Sequence, residues 1–350
     1  MTFLPLLLSL ASLLGDHHEA EIVFAGDAMQ HQSQLDDARR PDGSYDYGDY
    51  FRDVRAYVDS ADYAVVNLET PVAGGRFSGY PCFNAPDEYP EALREAGFDL
   101  MLLANNHILD RQDKGLKSTL TKMRGRGIDH TGIYFNAADR DTVSPLIKDI
   151  NGFKIAFLNY TYGTNGFTVR GDAKVNYIDR KTIASDVAKA RERGAEIVAV
   201  CPHWGDEYVK LAPKRVKAMA DYICSLGVDM VIGGHPHVIQ PMEMRPNTLD
   251  STRRTLVVYS LGNFISGMRT VDTRGGAMVK VRLRRDSAGR AVIDDASYRL
   301  VYTVPPGMDR NRRGYHLVYP SDSVPDSRCR LFEQAAEAIF RKHNREVPRK

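Results

Sequence analysis

The sequence predicts an α/β layered protein with mixed sheets, and three observations support this prediction. Short apolar runs typical of strands alternate with segments that carry apolar residues at helical spacing. The alternation forms two strand–helix–strand halves, which meet near a hairpin in the middle of the chain. No internal repeat of solenoid length interrupts the pattern. A chain of 350 residues is long enough for one large domain or two smaller ones.

The first half of the chain contains three predicted strands and three predicted helices. The strands are short apolar runs at 21–25, 63–66 and 99–103. The helices have apolar residues on one face, at 49–61, 89–96 and 114–124. Gly97 and Gly125 follow the second and third helix, as glycine commonly does at a helix end.

The second half begins with the strongest hairpin signal in the chain. Apolar runs at 146–150 and 153–158 flank the dipeptide Asn151-Gly152, which suits a tight turn between two strands. The strands predicted after this hairpin are 196–200, 228–232, 255–259 and a pair at 277–283 and 291–301. The helices predicted after it are 179–193, 213–226 and 327–343.

Polar side chains follow the predicted strands at the point where each strand ends. They are Asp27, Asn67, Glu69, Asn106, His107, His203, His235, His237 and Asn263. Ligands of open α/β sheets bind beyond the carboxyl ends of the strands, so we expect these side chains to meet there. Their mixture of carboxylate, amide and imidazole suits Mn²⁺, Fe or Zn²⁺ better than Ca²⁺. The pattern predicts a site for one or two divalent ions, and two ions about 3.5–4 Å apart could activate water for hydrolysis.

The turn Gly233-Gly234-His235-Pro236-His237 is the most informative of these segments. Its glycines permit a tight turn at a strand end, and its two imidazoles can reach one centre. Taken singly, each polar residue also has an ordinary structural explanation. Asp27 could cap a turn, and His203 could pack against Trp204. The recurrence at several strand ends is what favours a metal or hydrolytic site.

Composition excludes some classes of function and favours export. The net charge is +2, the basic residues are spread along the chain, and no known nucleic-acid motif is present, which argues against a nucleic-acid partner. The four cysteines do not form a disulfide framework, and Cys201 is interpreted as a small buried strand residue. The apolar run 2–14 predicts a signal peptide over 1–15 and export to the periplasm or cell envelope, with a buried first segment or an uncleaved anchor as alternatives.

Six motifs occur in one order along the chain, from about Ile22 to Phe264. They are Gly26-Asp27-Ala28-Met29, Asn67-Leu68-Glu69-Thr70-Pro71, Asn105-Asn106-His107-Ile108-Leu109-Asp110, His203-Trp204-Gly205-Asp206-Glu207-Tyr208, Gly233-Gly234-His235-Pro236-His237-Val238-Ile239-Gln240-Pro241 and Tyr259-Ser260-Leu261-Gly262-Asn263-Phe264. Together they resemble the CapA/PgsA-type poly-γ-glutamate capsule-biosynthesis proteins. That family is similar to the calcineurin-like metallophosphoesterases.

The resemblance implies a four-layer α/β/β/α sandwich of metallophosphoesterase type over 20–304, followed by a C-terminal extension with a helix over 305–350. It implies metal ligation by Asp27, Glu69, Asn106, His203, His235 and His237. It implies that His107, oriented by Asp110, stabilises the transition state or protonates the leaving group. It implies a substrate pocket shaped by Asn67, Trp204, Glu207, Tyr208, Gln240 and Asn263.

The sequence departs from the metallophosphoesterase pattern at three positions. Met29 stands where a ligand histidine is expected, Glu69 replaces an aspartate, and Asn105 replaces a glycine. One of the two metal positions is therefore short of a ligand, unless another group such as Glu207 completes it. Phosphatase activity does not follow from this kinship alone.

Two functional interpretations stay open at the level of the sequence. The first is a metal-dependent hydrolase or transferase of capsule biosynthesis that acts on an anionic polymer or a phosphoester. The second is a non-catalytic binding or accessory subunit of a membrane complex for capsule synthesis and export, which Met29 favours. An intracellular nucleotide phosphatase is disfavoured by the apolar N-terminus.

Overall fold

A computed structural model describes residues 19–320, 324 and 326–350 of the chain. The predicted signal peptide, 1–15, lies outside the described residues. The strands are β1 Glu19–Ala28, β2 Tyr63–Leu68, β3 Leu100–Leu102, β4 Asp129–Thr131, β5 Ile133–Tyr134, β6 Leu146–Ile150, β7 Phe153–Thr161, β8 Lys174–Val175, β9 Ile197–His203, β10 Met230–Ile232, β11 Met242–Pro246, β12 Arg254–Val258, β13 Asn263–Ile265, β14 Gly275–Arg285, β15 Ala291–Val304 and β16 His316–Val318. The helices are α1 Gln32–Ala38, α2 Arg52–Val58, α3 Glu88–Glu95, α4 Gln112–Gly125, α5 Ala137–Val143, α6 Arg180–Glu192, α7 Lys214–Ser225 and α8 Ser327–His343.

Two mixed sheets pack face to face. The first has the order β16-β15-β14-β1-β2-β3-β4, and β13 pairs with β1 at the end of that strand. The second has the order β11-β12-β10-β9-β7-β6. Within each sheet the strands nearest the centre run parallel, namely β1, β2 and β3 in the first and β7, β9, β10 and β12 in the second.

Successive side chains of the buried strands point to opposite faces of their sheet, so each sheet packs against the other sheet on one face and against helices on the other. On β1, Ile22 and Phe24 enter the core between the sheets, whereas Val23 and Ala25 enter an outer core with residues of α2, α3 and α4. On β9, Ala199 faces the inner core, while its neighbours pack with residues of α6 and α7 in a second outer core. Parallel strands buried on both faces read as continuous apolar runs, which is why the sequence located them well.

The predicted hairpin is confirmed by the pairing of β6 with β7. Asn151 has φ 51° and Gly152 has φ 80°, so both turn residues adopt the left-handed conformation that a two-residue hairpin of this kind needs. The predicted helix 327–343 coincides with α8. On α6, the side chain of Asp179 accepts a hydrogen bond from the Thr182 amide and caps the first turn.

The segment predicted as an extension, 305–350, contributes to the same core. Its strand β16 pairs with β15, and Phe332 and Phe340 of α8 lie in the core cluster between the sheets. None of the helices in the described part of the chain combines the length and the apolar character needed to cross a bilayer.

Some elements differ from the prediction. The predicted helix 49–61 is a 3₁₀ turn at Gly48–Tyr50 followed by the shorter helix α2, because Phe51 leaves the helical conformation and stacks on Phe264, with ring centroids 5.8 Å apart. The sequence did not predict α1, α5 or the short strands β4, β5, β8, β11, β13 and β16. Each has eight residues or fewer, and tertiary contacts rather than local pattern hold elements of that length in place.

Candidate metal centre

The polar residues predicted to meet do so at the carboxyl ends of the central strands of both sheets. Asp27 lies near the end of β1, Glu69 directly after β2, and His203 at the end of β9. The side chains that converge there are almost fully buried: Asp27, Asn67, Glu69, Asn106, His107, His203, His235 and His237. Burial of so many polar groups is costly unless they bind one another or a ligand.

Close backbone packing places Asp27 in this cluster. The Asp27 amide donates to the Gly262 carbonyl at 3.0 Å, and Asp27 lies opposite Asn263 in the pairing of β1 with β13. A Cβ atom on Gly26 would lie 2.0 Å from the same carbonyl oxygen, so a residue without a side chain is required there.

The histidine turn after β10 has a strained backbone. His235 has φ 97° and His237 has φ 56°, in a region that residues other than glycine rarely adopt. The His235 amide donates to Asp27 Oδ2 at 3.1 Å, which holds the turn against β1. Strain of this kind persists where the surrounding structure compensates for it, and such places are commonly functional sites.

The carboxylate of Glu69 is shared by two groups of possible metal ligands. One group is Asp27, Glu69 and His203, and the other is Glu69, His235 and His237, with the ligand atoms of each group within 4.8 Å of one another. Glu69 Oε1 lies 3.5 Å from His203 Nε2 and 3.8 Å from His237 Nε2. A carboxylate between two imidazoles is suited to bridge two cations.

The amides complete the cluster. Asn106 Oδ1 lies 2.7 Å from His203 Nε2, which places an amide oxygen beside that imidazole. Asn67 donates to Asp27 Oδ1 at 2.8 Å and approaches His203 Nδ1 at 3.3 Å. Asn263 Oδ1 lies 3.0 Å from His237 Nδ1, so the other ring nitrogen of His237 is left to face Glu69.

Two buried atoms indicate that the cluster can accommodate a cation. Glu69 Oε1 and His235 Nδ1 have no hydrogen-bond partner among the described residues. Buried acceptors in native proteins are nearly always satisfied, so each of these atoms calls for an explanation. A divalent cation satisfies both at once, and it matches the carboxylate, imidazole and amide donors around it.

The pKa values of the cluster reflect the same arrangement. Burial raises the pKa of Asp27, but its hydrogen bond to His237 and the charges of His203 and His237 outweigh burial and lower it to about 2. Burial lowers the pKa of His237, but the Glu69 charge and the Asp27 contacts raise it to about 9. Burial lowers the pKa of His235 to about 2, so its ring is neutral and able to bind a cation at physiological pH.

His107 lies beside the cluster and is held by Asp110. Its Nδ1 is 2.8 Å from Asp110 Oδ2, and its ring packs edge-on against Phe83 with centroids 4.6 Å apart. The carboxylate fixes which ring nitrogen carries the proton and leaves Nε2 to exchange a proton with a substrate. Asp110 Oδ2 also accepts a hydrogen bond from the Phe83 amide at 2.7 Å.

The predicted substrate-binding residues differ in their placement. Tyr208 is 55% exposed, and its ring lies 6.3 Å from that of His237. Glu207, next to it, is exposed, and its charge helps to raise the pKa of His237. Gln240 is buried and donates to the Val209 carbonyl at 2.6 Å, which anchors the loop that carries Glu207 and Tyr208.

Trp204 does not contact the cluster. Its ring packs in the outer core with residues of α7, and its Nε1 donates to the Tyr259 carbonyl at 2.9 Å. The interpretation of His203 and Trp204 as a packed aromatic pair is not supported either. The His203 ring lies against the His235 ring instead, tilted by 56° and with ring centroids 4.8 Å apart.

Sequence reasoning missed three residues near the cluster. The amide nitrogen of Asn165 lies 3.4 Å from His107 Nδ1, and its Oδ1 accepts a hydrogen bond from Asn106 at 3.2 Å. Tyr162, directly after β7, places its ring 4.5 Å from that of His235. Asn105 donates to the Leu68 carbonyl at 2.8 Å and so ties two strand-end loops together. A strand-end position was the available signal for Tyr162, as it was for the ligands.

Comparisons with known proteins agree with this geometry. A family model described as "Bacterial capsule synthesis protein PGA_cap" matches residues 21–268. Capsule biosynthesis protein CapA of Bacillus anthracis is 29% identical over 283 residues, which cover 76% of this chain and 66% of the relative. PGA biosynthesis protein CapA of Bacillus subtilis is 27% identical over 275 residues, which cover 76% of this chain and 68% of the relative. The chain spans about two thirds of the length of these relatives.

Solved structures show the same fold. NAD nucleotidase (NadN) of Haemophilus influenzae aligns with a TM-score of 0.50 and 12% identity, covering 91% of this chain and 67% of that one. This likeness, with two packed sheets and helices on both outer faces, confirms the predicted four-layer α/β/β/α sandwich. At this level of identity the likeness concerns the fold, and function has to be argued from the site.

Proposed function

The chain belongs to the PGA_cap family of bacterial capsule synthesis proteins, and from this premise we propose that it is a metal-dependent hydrolase of an anionic capsule polymer. One observation carries the proposal. Two buried groups of possible ligands share Glu69, and two buried acceptors in them, Glu69 Oε1 and His235 Nδ1, have no hydrogen-bond partner among the described residues.

The relatives point to the class of polymer. Their names connect them with capsule and PGA biosynthesis. Poly-γ-glutamate carries one carboxylate on every residue and is joined by amide bonds, so the bond to be cleaved is an amide between a γ-carboxyl carbon and a nitrogen. We assign the action to the cell envelope, in contact with a capsule-synthesis membrane complex, and the predicted signal peptide supports that assignment.

The chemistry of the residues suits two cation positions that share Glu69. Asp27, Glu69 and His203, with Asn106 beside them, would hold one ion, and Glu69, His235 and His237 the other. A divalent ion such as Mn²⁺, Fe or Zn²⁺ supplies Lewis acidity, which lowers the pKa of water and neutralises negative charge in the transition state.

His107 supplies the proton that amide cleavage requires. Water adds its oxygen to the carbonyl carbon and loses a proton to His107 Nε2, the carbon–nitrogen bond breaks, and the departing nitrogen takes up that proton as it leaves. His107 delivers that proton from Nε2, because Asp110 holds Nδ1 and stabilises the charged ring while it is protonated. Removal of such a proton donor typically lowers the rate about 10²–10⁴-fold.

One observation favours a second candidate, a polymer-binding accessory subunit. Met29 is buried at the position where the family resemblance implies a ligand histidine. The ion position that includes Asp27 therefore has one ligand fewer than the resemblance implies. A protein whose site holds no ion would lack the Lewis acid, and it would retain polymer but not cleave it.

Metal content and polymer length distinguish the two candidates. We would purify the protein without a histidine tag and measure Mn, Fe and Zn by elemental analysis. His235→Ala removes one ligand, and His343→Ala, on helix α8, is the matched histidine control. We expect near-stoichiometric metal in the wild type and in the His343→Ala protein, and a strong loss in the His235→Ala protein.

The same preparations are then incubated with poly-γ-glutamate of defined length. We expect shorter chains and new amino termini with the wild type, and a loss of cleavage with a His107→Ala protein that keeps its metal. Metal-loaded wild type that leaves the chain length unchanged would overturn the hydrolase and favour the accessory role. Absence of metal after loading would overturn the metal centre itself.

A further inference from the structure

A groove of about 720 Å³ opens between helix α1 and the loop 74–82, beside His107. Its volume falls within the range of known ligand sites, about 300–1,000 Å³. Three arginines line it: Arg39 and Arg76 are exposed, and Arg111 is half-buried. This groove is called the arginine groove below.

The lining of the arginine groove carries more positive than negative charge. Its three arginines lie in one lining with a single carboxylate, that of Asp36, whose Oδ1 accepts a hydrogen bond from the Gln32 side chain at 2.8 Å. An excess of positive charge on one concave surface creates a positive potential that attracts a polyanion.

Aromatic rings line the same groove as the arginines. The rings of Tyr45 and Phe77 pack edge-on with centroids 5.4 Å apart, and Tyr80 is 72% exposed. Exposed aromatic surface beside arginines offers contact to apolar methylene groups as well as to charges. The wall therefore suits a ligand in which anionic and apolar groups alternate.

The arginine groove is separated from the proposed proton donor by Phe83. Arg111, which lines the groove, follows Asp110 in the chain, and its guanidinium donates to the carbonyls of Phe83 at 3.2 Å and Cys82 at 2.8 Å. The other side of Phe83 packs edge-on against the ring of His107. A chain lying in the groove is therefore one residue layer from the proposed proton donor.

We infer that the arginine groove binds an extended polycarboxylate chain and directs it to His107. The inference rests on the proposed function, because it assigns polymer recognition to the same site. In poly-γ-glutamate each carboxylate is separated from the next by methylene and amide groups, which matches alternating arginines and aromatic rings. Arg39 and Arg76 bind carboxylates in the open part of the groove, and Arg111 binds the one nearest the reacting bond.

The test measures binding separately from cleavage. Fluorescently labelled poly-γ-glutamate of defined length is titrated onto the full chain, the doubly substituted Arg39→Ala, Arg76→Ala protein and a matched control. The control, Arg313→Ala with Arg330→Ala, removes two exposed arginines elsewhere in the chain and changes the net charge equally. Both substituted arginines are exposed, so neither substitution threatens folding, and the metal content of each protein is measured in parallel.

We expect the groove variant to bind about tenfold more weakly or worse, since charged hydrogen bonds contribute substantially to binding. The control should bind like the wild type, and added salt should weaken wild-type binding. Equal affinity in all three proteins, or no binding to the wild type, would overturn the inference. Tighter binding of polyphosphate of equal charge would overturn the assignment to carboxylates.

These outcomes remain distinguishable from failure of the proposed function. If the wild type cleaves the polymer but the groove variant binds normally, the hydrolase stands and the groove inference is wrong. If the groove variant loses binding while metal-loaded wild type cleaves nothing, the groove inference stands and the hydrolase is wrong.

Discussion

Replacement of Gly26 by alanine tests the backbone contact that sets the metal centre. The added Cβ would lie 2.0 Å from the Gly262 carbonyl oxygen and 3.0 Å from its carbon, whereas ordinary van der Waals contact begins near 3.4 Å. The obstructing atoms belong to the backbone of the segment just before β13, so no flexible side chain can move aside. Overpacking typically costs about 1–3 kcal/mol, and a rigid obstacle places Gly26→Ala at about 3 kcal/mol.

Gly125→Ala is the matched control for this substitution. A Cβ on Gly125 meets nothing within 4 Å, and the residue ends helix α4. Alanine is favoured over glycine in helices by about 0.5–1 kcal/mol, so this variant should be as stable as the wild type or slightly more stable. The free energy of unfolding is measured by urea denaturation of metal-free protein, since a bound ion would add its own stabilisation.

The Gly26→Ala protein should also lose metal affinity. A shift of the segment at Gly262 lengthens the hydrogen bond from the Asp27 amide to the Gly262 carbonyl, and it moves Asn263 away from His237. If the Gly26→Ala and Gly125→Ala proteins unfold at the same urea concentration and bind metal equally, the close approach of the two backbones at this site does not exist.

Three further predictions concern stability. Asp229→Ala leaves Arg191 and Arg253 without their buried partner and should lower the free energy of unfolding in urea by about 3 kcal/mol; a loss below about 1 kcal/mol would contradict it. Asp179→Ala removes the cap of α6 and should cost about 1 kcal/mol in the same assay, with no shift of the midpoint as the opposing result. Burial lowers the pKa of His237, but neighbouring carboxylates raise it to about 9. Protonated His237 therefore stabilises the metal-free protein. This stabilisation is fully present below about pH 6.5 and is lost as the pH rises through 9. Urea unfolding from pH 6 to 10 should show this decline in the wild type but not in a His237→Gln protein, and parallel profiles would sink the idea.

The sequence predicted the central strands and the long helices because their signals are local. A parallel strand buried on both faces is a continuous apolar run, and α8 shows its apolar face at helical spacing. The strand β13 shows why shorter elements escape prediction. It has three residues, and it forms because Asn263 lies opposite Asp27 across the end of β1, a contact between residues far apart in the chain.

The candidate site follows the same division. Ligands at strand ends were predicted, since the sheet brings those ends together. Asn165 was not predicted, because it is separated from His107 by 58 positions in the sequence and no local pattern indicates that the two residues meet. Trp204 was assigned to the substrate pocket, but neighbouring positions at a strand end face opposite ways, so His203 faces the cluster and Trp204 faces the helices. The alternation of side chains along a strand is the sequence signal that distinguishes His203 from Trp204.

Asp110 couples the two proposed halves of the site. One of its oxygens, Oδ2, accepts from the Phe83 amide and contacts His107 Nδ1, so one carboxylate both orients the proposed proton donor and fixes the loop that forms the wall of the arginine groove. Substitution of Asp110 would therefore disturb polymer binding and proton transfer together and could not separate them. The exposed arginines of the groove make neither contact, so a change there acts on binding alone. The proposed polymer recognition and the proposed bond cleavage would thus be linked through Asp110, yet they can be tested independently at Arg39 and Arg76 on one side and at His107 on the other.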